Sequence, residues 1–266
     1  MHPLIAALLG VVEGLTEYLP VSSTGHLLLV SKLLGIDGEG AFAYDVVIQL
    51  GAILAVVVHY RKLLAERTVG LLSRKPESVS LLVALVCGFV PTAVIGLLAR
   101  KTIKRFLTGP TPVAAALIAG GVLMIVVELV RARRTDKGLD GLEHVTPKRA
   151  FFIGLGQCVA MWPGSSRSMC TIVTGQLTGL STATAAEFSF LLGLPTLGAA
   201  TVYEALKSRH ELVHIGVLNV VIGLVVSFLV AWAVIAAFLS YLRKRGLSPF
   251  GLYRVALGIV VLIFLV

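Results

Sequence analysis

E-G-L-T-E-Y-L-P-V-S-S-T-G-H, residues 13–26, is the stretch that decides how this chain is read. It lies inside an apolar run, yet it carries Glu13, Glu17, Ser22, Ser23, Thr24 and His26. The two carboxylates are four residues apart and so share one face of a helix. Pro20 has no N–H to continue that helix, and the hydroxyl cluster after it begins another. Residues 3–19 and 24–34 each fall short of the roughly 20 residues that cross a bilayer core. The spacing therefore predicts a re-entrant hairpin that dips into the membrane and returns to the same side. Broken backbone at that depth is tolerated only where it is buried in protein or lines a cavity.

The rest of the chain supplies that surrounding protein. Its 266 residues are 57% hydrophobic and 14% charged, against about 25% charged in an ordinary soluble domain. Apolar stretches at 41–60, 80–99, 113–130, 215–240 and 250–266 are expected to be spans. The fold class is thus an all-α polytopic membrane protein forming a single integral membrane domain over 1–266. The formal net charge of +9 does not point to nucleic acid. Lys and Arg cluster between the apolar stretches, where they set topology and meet anionic membrane lipids. Cys87, Cys158 and Cys170 have no paired spacing and read as packing residues.

A second broken turn, W-P-G-S-S-R-S-M-C-T at 162–171, mirrors the first. Gly10, Glu13 and Pro20 find counterparts in Gly154, Gln157 and Pro163, and Pro20–Ser23 aligns with Pro163–Ser166. Asp45 and Gly51 follow the first proline at nearly the spacing with which Glu187 and Gly193 follow the second. The chain therefore reads as two repeat halves, about 1–134 and 147–266, each one hairpin plus three spans. Three spans is an odd number, so the halves are expected to be inverted, as in many secondary transporters. The loops expected at 61–75, 131–149 and 243–245 on one side hold 14 Lys and Arg, and those on the other, with Lys32, the segment 100–105, and Lys207 with Arg209, hold 7. That bias puts the richer side in the cytoplasm and both termini outside.

Polar groups at membrane depth are costly and mark function. Glu13 and Glu17 point to divalent-metal ligation or proton transfer. Ser22, Ser23 and Thr24 sit at a helix start, where hydroxyls cap and where free N–H groups bind phosphate; one of the serines is also a candidate nucleophile. His26 suits a proton carrier, a phosphate ligand or a nucleophile. Arg167 offers a fork matched to phosphate oxygens, with Glu17 or Glu13 as its internal alternative, and Ser165, Ser166, Ser168 and Thr171 add donors beside it. Asp45, Gln49, Glu128, Glu187 and Arg254 read equally as site residues or as ties between helices. Physics alone thus gives an anion site with two carboxylates and one arginine. A transporter of a phosphorylated lipid or anion satisfies that description.

Residues 10–26, G-V-V-E-G-L-T-E-Y-L-P-V-S-S-T-G-H, and 162–171 closely resemble the two signature stretches of the undecaprenyl-diphosphate phosphatase family, the bacitracin-resistance proteins. A-Y-D-V-V-I-Q-L-G-A-I-L-A-V and A-A-E-F-S-F-L-L-G-L-P resemble the spans that follow them, so the resemblance covers essentially the whole chain. It implies an enzyme of the bacterial inner membrane that hydrolyses undecaprenyl diphosphate to undecaprenyl phosphate and phosphate, recycling the lipid carrier of peptidoglycan synthesis. It also implies a divalent cation, Mg2+ or Ca2+, and a site open to the outer, periplasmic face. In that chemistry Arg167 and the helix N-termini hold the diphosphate, and Glu17 with Glu13 holds metal or accepts a proton. Ser23 is the first candidate nucleophile, with His26 as base or phosphate ligand and an activated water as runner-up. One departure is Met169-Cys170, where small residues are expected after R-S. A transporter or flippase of polyprenyl phosphate is the alternative beside this reading, and the sequence leaves homo-oligomer formation open.

Overall fold

The computed structural model describes residues 1–36, 39–107, 109–133 and 138–266. Among them are twelve α-helices. In the first part of the chain these are α1 (Pro3–Thr16), α2 (Ser23–Leu33), α3 (Glu39–His59), α4 (Arg61–Leu72), α5 (Pro76–Phe106) and α6 (Pro110–Ala132). In the second they are α7 (Pro147–Cys158), α8 (Arg167–Leu177), α9 (Thr182–Lys207), α10 (Arg209–Ile215), α11 (Val217–Leu242) and α12 (Ser248–Leu265). Helices α3, α5, α6, α9, α11 and α12 are each long and apolar enough to cross a membrane. The protein is a multi-pass membrane protein, and the order hairpin, span, short helix, span, span occurs twice.

Two expectations change. The basic stretch at 61–75 is not a loop: Arg61–Leu72 is helical, because Lys, Arg, Leu and Glu are all good helix formers and no proline intervenes before Pro76. The basic segment 100–105 likewise continues α5 to Phe106. Residues 134–137 of the long polar connector, with Arg134 and Lys137, lie outside the described residues.

The hairpin breaks follow from their prolines. Helix α1 stops at Thr16, three residues short of the expected end. Pro20 cannot donate to the Thr16 carbonyl, and a residue preceding proline is driven out of the α region. Pro163 acts alike: the chain tightens to a 3-10 turn at Val159–Met161, closed by Trp162 N–H donating to the Val159 carbonyl at 3.1 Å. Each returning helix is then capped by a serine. Ser22 Oγ accepts from Gly25 N–H at 3.3 Å and Ser166 Oγ from Met169 N–H at 3.2 Å. Both caps have positive φ, 73° and 69°, which is rare for serine.

The halves are interlocked. The first hairpin's α1 lies along α11, and the second hairpin's α7 lies along α5, so each hairpin packs on a span of the other half. Gly10 and Gly154 make these contacts: a Cβ on Gly10 would lie 2.7 Å from the Gly223 carbonyl, and one on Gly154 would lie 2.3 Å from that of Gly88. The two landmark glycines thus do the same job, letting backbones touch where no larger residue fits. Helices α3 and α9 cross at the centre, and α6 and α12 pair along their length.

Candidate active site between the hairpin breaks

The N-termini of α2 and α8 border one cavity of about 180 Å3. Its walls are Glu17, Ser22, Ser23 and Thr24 from the first break, Ala160, Gly164, Ser166 and Arg167 from the second, and Gln49 and Leu197 from the central spans. The first N–H groups of an α-helix have no partner inside it, so two helix starts facing one space make an anion site by their backbone alone.

The capping geometry also corrects the repeat register. The motif alignment pairs Ser22 with Ser165. In the fold Ser22 matches Ser166, since these two share the cap and the backbone conformation. Ser23 and Arg167 are then equivalent, each the first residue of its returning helix.

Those two residues converge on Glu17. Ser23 Oγ donates to Glu17 Oε2 at 2.8 Å, and Arg167 Nη2 donates to Glu17 Oε1 at 3.0 Å. The pair is buried, with side-chain exposures of 10% for Arg167 and 4% for Glu17, so it works with little solvent screening. Arg167 Nη1 donates to the Ser189 carbonyl at 2.9 Å and to its Oγ at 3.2 Å. The guanidinium also sits over the Tyr18 ring, 5.4 Å from its centroid, and Tyr18 in turn meets Phe190 edge to face. Gly193 also lies close against the guanidinium. The arginine is therefore held in a fixed pose with its fork at the cavity.

Glu13 lies one turn behind Glu17 and does not reach the cavity wall. It is fully enclosed, and no N–H or O–H of the described residues reaches either of its oxygens. Its charged neighbours are Glu17, Asp45 and Arg167. Two orphaned carboxylate oxygens beside a second carboxylate suit a hard cation. Among the described residues no cluster of three or more His, Cys, Asp or Glu side chains could hold a metal. The donors thus fit a cation of the magnesium kind, held by one or two carboxylates with water filling the rest of its shell. They do not fit a cage built wholly of protein.

Other expected donors are turned elsewhere. Ser168 and Thr171 are fully buried. Ser168 Oγ donates to the Leu19 carbonyl at 2.9 Å, and Thr171 Oγ1 pairs with Ser189 Oγ at 2.6 Å. Ser165 is also buried and is absent from the cavity wall. His26 points away: its Nδ1 is 2.7 Å from the Ser22 carbonyl, and its Nε2 is 2.7 Å from the Tyr253 hydroxyl. Met169 and Cys170 pack in the core, so the departure there touches packing.

One contributor carried no signal in the sequence, and a second was open there between site residue and helix tie. Ser189 is an unremarked serine in a span, and only the fold sets it under Arg167. Arg254 of α12 is 0% exposed and donates to three carbonyls, those of Pro20 (3.3 Å), Ala116 (3.1 Å) and Gly164 (3.0 Å). Pro20 and Gly164 belong to the two breaks.

Comparison with known proteins gives the family. The family model described as bacitracin resistance protein BacA matches residues 6–260. A protein of Sorangium cellulosum named undecaprenyl-diphosphatase is 58% identical over 97% of this chain and 84% of its own length. Proteins of the same name from Thermoanaerobacter pseudethanolicus, 44% identical, and Campylobacter fetus, 46% identical, cover at least 97% of the chain and 95% of themselves. With its family model matching residues 6–260, which reach into both hairpins and all six spans, the chain belongs to the bacitracin resistance protein BacA family.

Proposed function

We propose that this protein is a membrane phosphatase that hydrolyses undecaprenyl diphosphate to undecaprenyl phosphate and phosphate. The observation that carries the reading is the chain Ser23–Glu17–Arg167 at the mouth of two helix N-termini. It has the form of an activated nucleophile: a hydroxyl bonded to a base, and the base oriented by a third group.

Phosphoryl transfer needs positioning and charge neutralisation above all. The N–H groups of the two helix starts and the Arg167 fork bind the diphosphate oxygens and stabilise charge as it develops. Ser23 Oγ attacks the terminal phosphorus while its proton passes to Glu17 Oε2. The bond from that phosphorus to the bridging oxygen breaks, and undecaprenyl phosphate leaves with the bridging oxygen. Glu17 passes that proton to the departing phosphate and, ionised again, takes one from an incoming water whose oxygen attacks the phosphoserine; phosphate leaves and the proton returns to Ser23 Oγ. Ser22 and Ser166 hold the two helix starts in register. Glu13 and Glu17 would hold the divalent cation, Mg2+ or Ca2+, which when bound supplies positive charge to the phosphate oxygens.

The same reading takes the two halves as inverted repeats, about 1–134 and 147–266. It sets both termini and the mouth of the site on the outer face of the bacterial inner membrane. What supports this is the Lys and Arg bias and the odd number of spans per half.

Purified protein in detergent, given undecaprenyl diphosphate and magnesium, is expected to release phosphate, and Arg167→Ala to abolish release. Detergent removes any two-sided membrane, so release there is chemistry and not transport. Wild-type release no higher than that of Arg167→Ala overturns the phosphatase reading and leaves the flippase.

A further inference from the structure

Two consecutive residues of α12 hold both hairpin breaks, and the mechanism above uses neither. Arg254 is enclosed, and no carboxylate pairs with it among the described residues; its partners are all carbonyl oxygens. A guanidinium in a membrane ordinarily finds an anion, so a triple carbonyl grip is an unusual use of a buried charge. Two of those carbonyls, on Pro20 and Gly164, come from residues 144 apart that end the outgoing arms of the two hairpins. Arg254 is therefore a direct bridge between the half-sites, and Ala116 ties that bridge to α6.

Tyr253 acts on the first break by a second route. Its ring stacks on His26 at 5.6 Å and 10°, and its hydroxyl meets His26 Nε2 at 2.7 Å. A carbonyl can only accept, so the 2.7 Å contact between His26 Nδ1 and the Ser22 carbonyl puts the hydrogen on Nδ1. In the neutral ring Nε2 then accepts from Tyr253 O–H. Tyr253 thereby selects the tautomer that holds the Ser22 carbonyl, at a residue whose φ of 73° needs support from outside the local chain. The Pro20 and Ser22 carbonyls bracket the approach to Ser23, and Gly164 lines the cavity beside Ser166 and Arg167.

We infer that Tyr253 and Arg254 are positioning residues for phosphoryl transfer, Arg254 by fixing the two hairpin breaks to each other through the Pro20 and Gly164 carbonyls, and Tyr253 by holding His26 against the Ser22 carbonyl. The inference rests on the phosphatase reading of the cavity. Misplacing reacting groups by about 1 Å can cost roughly a hundredfold in rate, so the effect belongs in kcat.

The test uses full-length protein in detergent, with kcat, KM and thermal midpoint measured for each variant. Tyr253→Phe keeps the stacked ring and removes only the hydroxyl. It is expected to lower kcat about tenfold, to leave KM within about twofold, and to leave the midpoint unchanged. Arg254→Lys keeps the charge but cannot span three carbonyls, and is expected to lower kcat by about a hundredfold. In the background of His26→Ala, adding Tyr253→Phe is expected to cost nothing more, because Tyr253 acts through His26. Wild-type kcat in Tyr253→Phe overturns the tyrosine's role, and full activity in Arg254→Lys shows that charge alone suffices and overturns the arginine's. A loss that follows the thermal midpoint reduces both to structural ties. If Arg254→Lys does not fold, Tyr253→Phe and the double variant decide. Absence of wild-type activity would instead fail the phosphatase reading, so the two failures are distinct.

Discussion

Replacing Gly193 by alanine should separate catalysis from stability. Gly193 lies in α9 against the face of the Arg167 guanidinium. A Cβ there would sit 3.2 Å from Cζ, Nη1 and Nη2 at once, so the guanidinium must yield by a few tenths of an ångström. It has little room to do so: the Tyr18 ring centroid lies 5.4 Å from Cζ, Ser189 holds Nη1 and Glu17 holds Nη2. Tyr18 itself is fully buried against Phe190. Scaling from about a hundredfold per ångström of misplacement, the fork loses roughly threefold to tenfold in kcat/KM. That is about 0.7–1.4 kcal/mol of transition-state stabilisation. Helix propensity works the other way, since alanine is about 1 kcal/mol better than glycine inside a helix. The assay is phosphate release from undecaprenyl diphosphate in detergent, read beside thermal unfolding. The expected pattern is lower activity at an unchanged or raised thermal midpoint. A kcat/KM within twofold of wild type would refute the claim that Arg167 is fixed from all sides. A loss of activity with a fall in the midpoint would refute the claim that the effect is local to the fork.

Further outcomes follow from the same geometry. Ser23→Ala removes the hydroxyl bonded to Glu17 and should lower kcat at least about a thousandfold, as for other nucleophile deletions; a loss of tenfold or less in a steady-state assay would assign attack to water. Chelation should abolish phosphate release and restored Mg2+ or Ca2+ should recover it, while Glu13→Gln should raise the cation concentration needed; full activity in chelator removes the metal role of Glu13 and Glu17. A reporter active only in the cytoplasm, fused after Val266, should be silent, and an active one would reverse the assignment of sides.

Much of the architecture was legible because membrane insertion leaves a coarse record. Runs of about 20 apolar residues name the spans, and Pro20 and Pro163 name the breaks. The misreadings have one cause. At 61–72 and 100–105 charge was read as loop, yet Lys, Arg and Leu support helix wherever a helix can leave the lipid. Glu17, Ser23 and Arg167 were legible because their polarity at that depth has no cheap structural excuse. Ser168 and Thr171 look alike in sequence but spend their hydroxyls on carbonyls and Ser189. Motif similarity could not set the repeat register, since Ser165 and Ser166 are the same residue type and only the backbone at Ser166 shows which one caps. Ser189 and Tyr253 were silent as site residues, and Arg254 read equally as a site residue or a helix tie, because each acts on a partner far away in the chain, up to 234 residues for Arg254 and Pro20.

The crossed packing of α1 on α11 also governs how the protein is made. Ribosomes deliver Pro3–Thr16 first, but its packing surface on Val217–Leu242 emerges some 200 residues later. At about 5–20 residues per second that is a wait of roughly 10–40 s. Throughout it, Glu13 and Glu17 sit on a helix too short to cross the bilayer. For most of the wait Arg167 is not yet available to neutralise Glu17. The first hairpin must therefore stay at the membrane surface, or under the care of the insertion machinery, and be drawn inward only when the second half arrives. Assembly and completion of the charge pair are one late event, so a truncated chain has neither a buried hairpin nor half an active site.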